Sequence, residues 1–460
     1  MRIHKRGKSR RRGLALLLAG VLAVTGASVL AAAAFAGQGP WRSQAATQLG
    51  TVACADVGSG LAAVPDAAQA DVDQSLADLD VQVADAYQDL SKAGSKGGEN
   101  KVMGALAAKR TTTLKKLSSS AGPDSGLPKD LSALANCSIR RDLEVDASAK
   151  DFAPESAKAA ADRSRSSGGA SKLGRGFVDI KSVAPNAKPA RTGPASGTFT
   201  SQCGRNENRH LNPDNVIVAP GVSNGAHHMH DYVGNNATSA FSPNGRLAAS
   251  GTTCSNGDQS AYYWPVLRLL NGSNDSDLKA PGGGKDRNVG KILQPAEVNI
   301  TYTSATGNKV QSMTRFLRII TGDAKALTNG PANAHASWSC TGFEDRQLVD
   351  KYPACPSGSR VVRTLKFPDC WDGKNIDSAN HRTHTAFSDK KGVCPKNLKA
   401  IPQLTERVAY DVPSGVKFAV DSFPEQLHNP ITDHGDFINV MNKGLLDQMV
   451  SCINEGRRCG

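Results

Sequence analysis

Ten cysteines in a chain of 460 residues, eight of them after residue 200, set the strongest limit on what this sequence can fold into. Cys54 and Cys137 stand alone in the first third, followed by Cys203, Cys254, Cys340, Cys355, Cys370, Cys394, Cys452 and Cys459. An even number of cysteines in an exported chain reads as a disulfide framework. The absence of any Cys-x-x-Cys pair argues against a zinc ribbon or a redox motif. Proximity in sequence favours Cys340–Cys355, Cys370–Cys394 and Cys452–Cys459, which leaves Cys203 for Cys254. A Cys54–Cys137 bridge would staple the ends of a separate small module.

The N-terminus agrees with oxidation outside the cytoplasm. A basic stretch precedes the uncharged run Leu14–Ala36, which ends in Ala34-Phe35-Ala36, a small-x-small cleavage pattern. The expectation for residues 1–36 is a signal peptide. The run is longer than a usual signal core, so a retained membrane anchor is the alternative. Either way the protein is expected to be extracellular, secreted or tethered to the outer face of the cytoplasmic membrane, and to touch membrane through this segment only. Seven of the 55 Lys and Arg lie in the first 12 residues, and the 42 Asp and Glu nearly balance the rest, so nucleic-acid binding is not expected.

Residues 47–141 carry apolar residues at helical spacing (Val72, Leu76, Leu79, Val83, then Leu106, Leu114, Leu117), which predicts a small helical module broken near Ser91–Gly98. Residues 147–196 are rich in Ala, Ser, Gly, Pro, Lys and Arg and predict a disordered linker. From 197 to 460, short β-branched and aromatic runs alternate with Gly, Pro and Asn breakers. This predicts a mainly β, sandwich-like C-terminal domain with long, disulfide-pinned loops.

Nine of the ten histidines follow residue 200. In an extended segment His228 and His230 project to one face, a geometry suited to holding one metal ion or one substrate group. Asp377, His381 and His384 form a second group, and His434 with Asp436 a third. Convergence of His228, His230, His381, His384, His434 and Asp436 in one cleft, with Asp377 nearby, would make a catalytic site. His228, His230, His384 and His434 are the candidate ligands of a divalent metal such as zinc or copper. Tyr262 and Trp264 share a strand face and would form a platform for sugar rings; the competing role is core packing, the commoner one for Trp.

The same stretches carry a resemblance. His228-Met229-His230, Ser260–Pro265, Arg318–Asp323, Trp338-Ser339-Cys340, Phe367–Gly373, Asp377, His381, His384, Cys394-Pro395, Ile401–Leu404 and His434–Phe437 follow in the order and spacing of secreted bacterial and fungal proteins known as the domain of unknown function 1996 (DUF1996). The resemblance spans about Asn212 to Met441. It implies the domain limits and the region of the site, and no reaction. The expected function is a metal-assisted or histidine-based hydrolase or lyase acting on a polysaccharide such as a cell-wall glycan. The alternative is a non-catalytic extracellular protein that binds carbohydrate or metal.

Overall fold

The computed structural model describes residues 51–93, 96–141, 173–174, 176–187, 193–272 and 276–460. The expected signal segment 1–36 lies outside them. No helix among the described residues is long and apolar enough to cross a membrane. Five disulfides close, at Cys54–Cys137, Cys203–Cys254, Cys340–Cys355, Cys370–Cys394 and Cys452–Cys459. Three are the pairings that proximity favours; Cys203–Cys254 is the pair left over, and Cys54–Cys137 is the expected staple of the N-terminal module.

The C-terminal part is a β sandwich. One sheet has six strands in the order Ser337–Cys340, Val361–Lys366, Gln403–Tyr410, Glu297–Thr303, Thr198–Ser201 and Arg458–Cys459. The other has five, in the order Arg318–Gly322, His434–Ile438, Ala261–Pro265, His230–Gly234 and Leu211–Asn212. Pairing is antiparallel throughout except at the Arg458–Cys459 edge. Between the sheets lie Tyr262, Trp264, Phe437 and Ile319 from one side and Tyr302, Leu365, Val408 and Tyr410 from the other. Two polar contacts cross this core: the Tyr262 and Tyr302 hydroxyls are 2.6 Å apart, and Trp264 Nε1 donates to Tyr410 Oη at 3.1 Å.

The five-stranded sheet is covered on its outer face as well. Val216, Ile217 and Leu247 pack there on Tyr232, Tyr263, Ile320 and Ile438. Its three central strands are therefore buried at every position. This two-sided burial is why Ala261–Pro265 reads as an unbroken apolar run rather than an alternating one.

The helical module comprises α1 (Gln69–Ala93) and α2 (Lys96–Ala121), joined to a two-stranded ladder of Thr51–Cys54 with Cys137–Arg140. Val72, Leu76 and Leu79 meet Leu114 and Leu117 in one cluster, while Val83 and Leu90 meet Leu106 in another. The Cys54–Cys137 bridge spans 83 residues and ties both ends of this module. In the chain-entropy account, closing a loop of that size contributes about 4–5 kcal/mol.

One boundary differs from expectation. Of the predicted linker, residues 147–172, 175 and 188–192 lie outside the described residues. Further along, Phe177–Asp179 pairs in parallel with Tyr352–Ala354, and Phe177, Ile180 and Val183 are buried in the main core. The short run Phe177-Val178-Asp179-Ile180 carries that signal, and averaging over the surrounding polar residues dilutes it. The folded domain therefore begins before residue 197.

Candidate metal centre

His227 has a left-handed φ of 52°, a conformation uncommon outside glycine, and it turns the chain into the His230–Gly234 strand. Its ring leaves the centre, with Nδ1 on Asp286 Oδ1 at 2.8 Å. His228 and His230 then stand on one side of the extended segment, with ring centroids 4.6 Å apart. His434 opens its own strand two positions along the sheet, separated from His230 by the Ala261–Pro265 strand.

The three Nε2 atoms converge. They lie 3.1 Å apart for His228 and His230, 3.2 Å for His228 and His434, and 3.5 Å for His230 and His434. A tetrahedral zinc ion with nitrogen ligands at 2.0–2.1 Å requires N···N separations of about 3.3 Å. Two of the rings are oriented from behind by backbone carbonyls: His230 Nδ1 meets the Asp214 oxygen at 3.0 Å and His434 Nδ1 the Thr432 oxygen at 2.9 Å. A carbonyl can only accept, so both Nδ1 atoms carry the proton and both Nε2 lone pairs face the centre. Among the described residues the metal-competent group here ends at these three histidines.

All three rings are buried. Burial first, then repulsion by the neighbouring imidazoles, lowers His228 and His230 well below the ordinary histidine range. Burial lowers His434 to about 4. The rings are thus neutral, as ligation requires.

The surroundings are fixed by buried ion pairs. Arg363, wholly buried, forks onto the Asp433 carboxylate immediately before His434 and donates Nη1 to the Pro265 carbonyl at 2.6 Å. Arg268 Nε donates to Asp421 Oδ1 at 2.7 Å, and Asp421 Oδ2 accepts the Met229 amide at 3.3 Å, between the two ligand positions. The Phe423 ring packs edge-on against His228, with centroids 5.5 Å apart.

Several candidates fall outside the centre. His384 has both ring nitrogens engaged, Nε2 with the Arg318 carbonyl at 2.7 Å and Nδ1 with Ser378 Oγ at 2.9 Å, so it is a loop anchor and no ligand. His381 Nδ1 pairs with Asp377 Oδ2 at 3.0 Å, which occupies both residues in holding the 377–384 loop. Tyr262 and Trp264 are fully buried between the sheets, so they present no platform to a sugar. Asp436 stands one pleat beyond His434 and is buried, which raises its carboxyl to about 7; it does not line a solvent-reaching cleft. Asp433 and Phe423 were not among the candidates. Asp433 could have been suspected as the residue beside His434, while nothing local marks Phe423.

The His381 pair makes a pH-dependent tie. Burial alone would lower its pKa, but Asp377 and then Asp73 of α1, whose Oδ1 lies 3.6 Å from Nε2, outweigh this and raise it to about 9. A histidine raised in the folded state contributes stability fully below its unfolded value of about 6.5, and loses it as pH rises through the folded value. The stability gap between the native chain and an Asp377→Asn variant, from urea unfolding, is expected to be largest below about pH 6.5. It should narrow steadily toward about pH 9. A gap that widens over that range would refute the charged pair.

Residues 215–440 match the family model described as Domain of unknown function (DUF1996). All three converging histidines fall within the matched span. Comparison with curated proteins and with solved structures gave no match.

Proposed function

The chain belongs to the DUF1996 family, whose description assigns no activity, and from the geometry of this domain we propose that it is a metalloprotein, holding one zinc or copper ion on His228, His230 and His434. What carries this reading is the triangle of Nε2 atoms 3.1–3.5 Å on a side, with two of the rings oriented by carbonyls behind them. Closed structural zinc sites use four protein ligands, whereas sites that act on an outside molecule use three and leave a position open. The count of three ligands is what favours the second class for this centre.

Lewis-acid activation at the open position is the chemistry a bound ion would supply. The chain's residues supply the rest: carbonyls that fix the tautomers, buried ion pairs that fix the ligand strands, and an apolar Phe423 wall that limits water. The fold is braced by five disulfides, in keeping with an extracellular setting. The substrate class proposed for such a secreted centre is a polysaccharide, cleaved by hydrolysis or elimination. The burial of all three rings favours a second reading, a protein that captures the metal without turnover.

Chelated protein reloaded with zinc or copper separates the two. On a panel of cell-wall polysaccharides, release of reducing ends or of unsaturated products should appear only after reloading. Stoichiometric metal with no product on any glycan would replace the enzyme reading by the capture reading.

A further inference from the structure

The three ligand histidines stand at one end of the five-stranded sheet, and that end is where the helical module docks. His434 is paired with Gly322, the last residue of its neighbouring strand, and the chain leaving Gly322 carries Asp323, Lys325 and Asn329. Lys325 Nζ lies 2.5 Å from Asp80 Oδ1 of α1, and Asn329 Nδ2 donates to Asp56 of the same module at 2.9 Å. On the His228 side, Phe423 touches the ligand ring, and the turn after it packs against α1. Thr51 Oγ1 donates to the Glu425 carbonyl at 2.5 Å. Lys325 Nζ also sits over the Phe423 ring, 5.1 Å from its centroid. A fourth tie runs from Gln88 Nε2 to the Lys285 carbonyl at 2.9 Å, beside the Asp286 that holds His227.

Helix α1 is built for this contact. Its apolar stripe (Val72, Leu76, Leu79, Val83) packs within the module. About a quarter-turn round lies a second stripe, Asp73, Ala77, Asp80, Ala84 and Tyr87, spaced alternately four and three residues apart. Asp73, Ala77 and Ala84 are buried, although two are alanines and one is a carboxylate. The stripe's charges meet His381 and Lys325, and Arg287 covers the Tyr87 ring at 5.1 Å. A half-open pocket of about 90 Å³ lies between the two parts, lined by Leu76, Leu79, Asp80 and Val83 of α1 and by Lys325 and Glu425. Ion pairs over small residues, with a pocket left beside them, give this contact the polar character of an interdomain interface.

We propose that the N-terminal helical module is a built-in cover of the metal centre: α1 closes the sheet end at which the open coordination position lies, and ligands reach the ion only when the module lifts. This rests on the three-histidine centre proposed above. The module is thus an intramolecular inhibitor, and its acidic stripe occupies two basic groups at that end, Lys325 and His381. An anionic polymer bound at those groups would displace it.

The full-length chain loaded with zinc tests this through the rate at which a colorimetric chelator extracts the ion. Charge reversal at the stripe (Asp73→Lys with Asp80→Lys) and, separately, added bulk (Ala77→Trp) should each raise that rate at least tenfold while leaving one zinc per chain at equilibrium. Hydrogen exchange at residues 323–329 and 422–428 reports whether α1 has lifted. An unchanged extraction rate in a variant whose amides there have gained exchange would overturn the cover. So would a variant unable to hold zinc at all, since a cover lifts without dismantling the site. A native chain that takes up no zinc would instead refute the centre, which keeps the two failures apart.

Discussion

Replacing Arg363 by Met is expected to cost this protein about 3–5 kcal/mol of stability. Arg363 and Asp433 are both fully buried, and the guanidinium is the cation that compensates the Asp433 carboxylate. Its third contact, the Pro265 carbonyl, links the six-stranded sheet to the strand lying between the ligand-bearing strands. Its charge also lies over the Trp338 ring, 5.0 Å from the centroid. Met fills most of the volume but leaves an uncompensated carboxylate inside the sandwich. Total stabilities of about 5–15 kcal/mol leave little margin for such a loss. Urea unfolding should show a strongly lowered midpoint. A second change, Asp433→Leu in the Arg363→Met background, should restore much of it, because an apolar pair of similar volume can replace a buried ion pair at little cost. A loss below about 1 kcal/mol in the single variant would mean that water reaches the carboxylate.

Much of the fold was legible in the sequence because its signals are local. Short runs between Gly, Pro and Asn breakers marked the strands, and proximity paired six of the ten cysteines. The period of Val72, Leu76, Leu79 and Val83 marked the face of α1 that packs inside the module. The other face of α1 was silent, since Asp73, Ala77, Asp80 and Ala84 look like a solvated stripe until a partner is placed on them. Likewise Tyr262 and Trp264 follow strand alternation, but alternation distinguishes core from surface only when one face of the sheet is open, and both faces of this sheet are covered.

The site was legible in part for a similar reason. The i, i+2 spacing of His228 and His230 predicted a shared face; the strand begins only at His230, and the bend before it turns His228 in so that their Nε2 atoms lie 3.1 Å apart. His384 carries a paired spacing too, with His381 three residues before it. In a loop that spacing fixes no common direction, and His384 turns instead to Ser378 and the Arg318 carbonyl. His434 reaches the pair across more than 200 residues, a long-range pairing of strands that no periodicity encodes.

Substitution of His230 by Ala is expected to abolish stoichiometric metal uptake, a fall from one ion per chain to near none. The ring supplies one corner of the Nε2 triangle, and a site with two imidazoles left retains neither the ligand count nor the geometry of an open tetrahedral centre. His434→Ala should do the same, whereas His384→Ala should keep its metal and lose stability instead, since its ring ties Ser378 to the Arg318 carbonyl. The most direct measurement is X-ray absorption at the metal edge of full-length protein reconstituted with zinc or copper. The predicted spectrum has three imidazole nitrogens at about 2.0–2.1 Å and one further light-atom ligand, and it loses an imidazole shell in any His230→Ala protein that retains metal. An all-oxygen shell, or a native protein left metal-free after incubation with equimolar zinc and copper, would contradict the three-histidine centre.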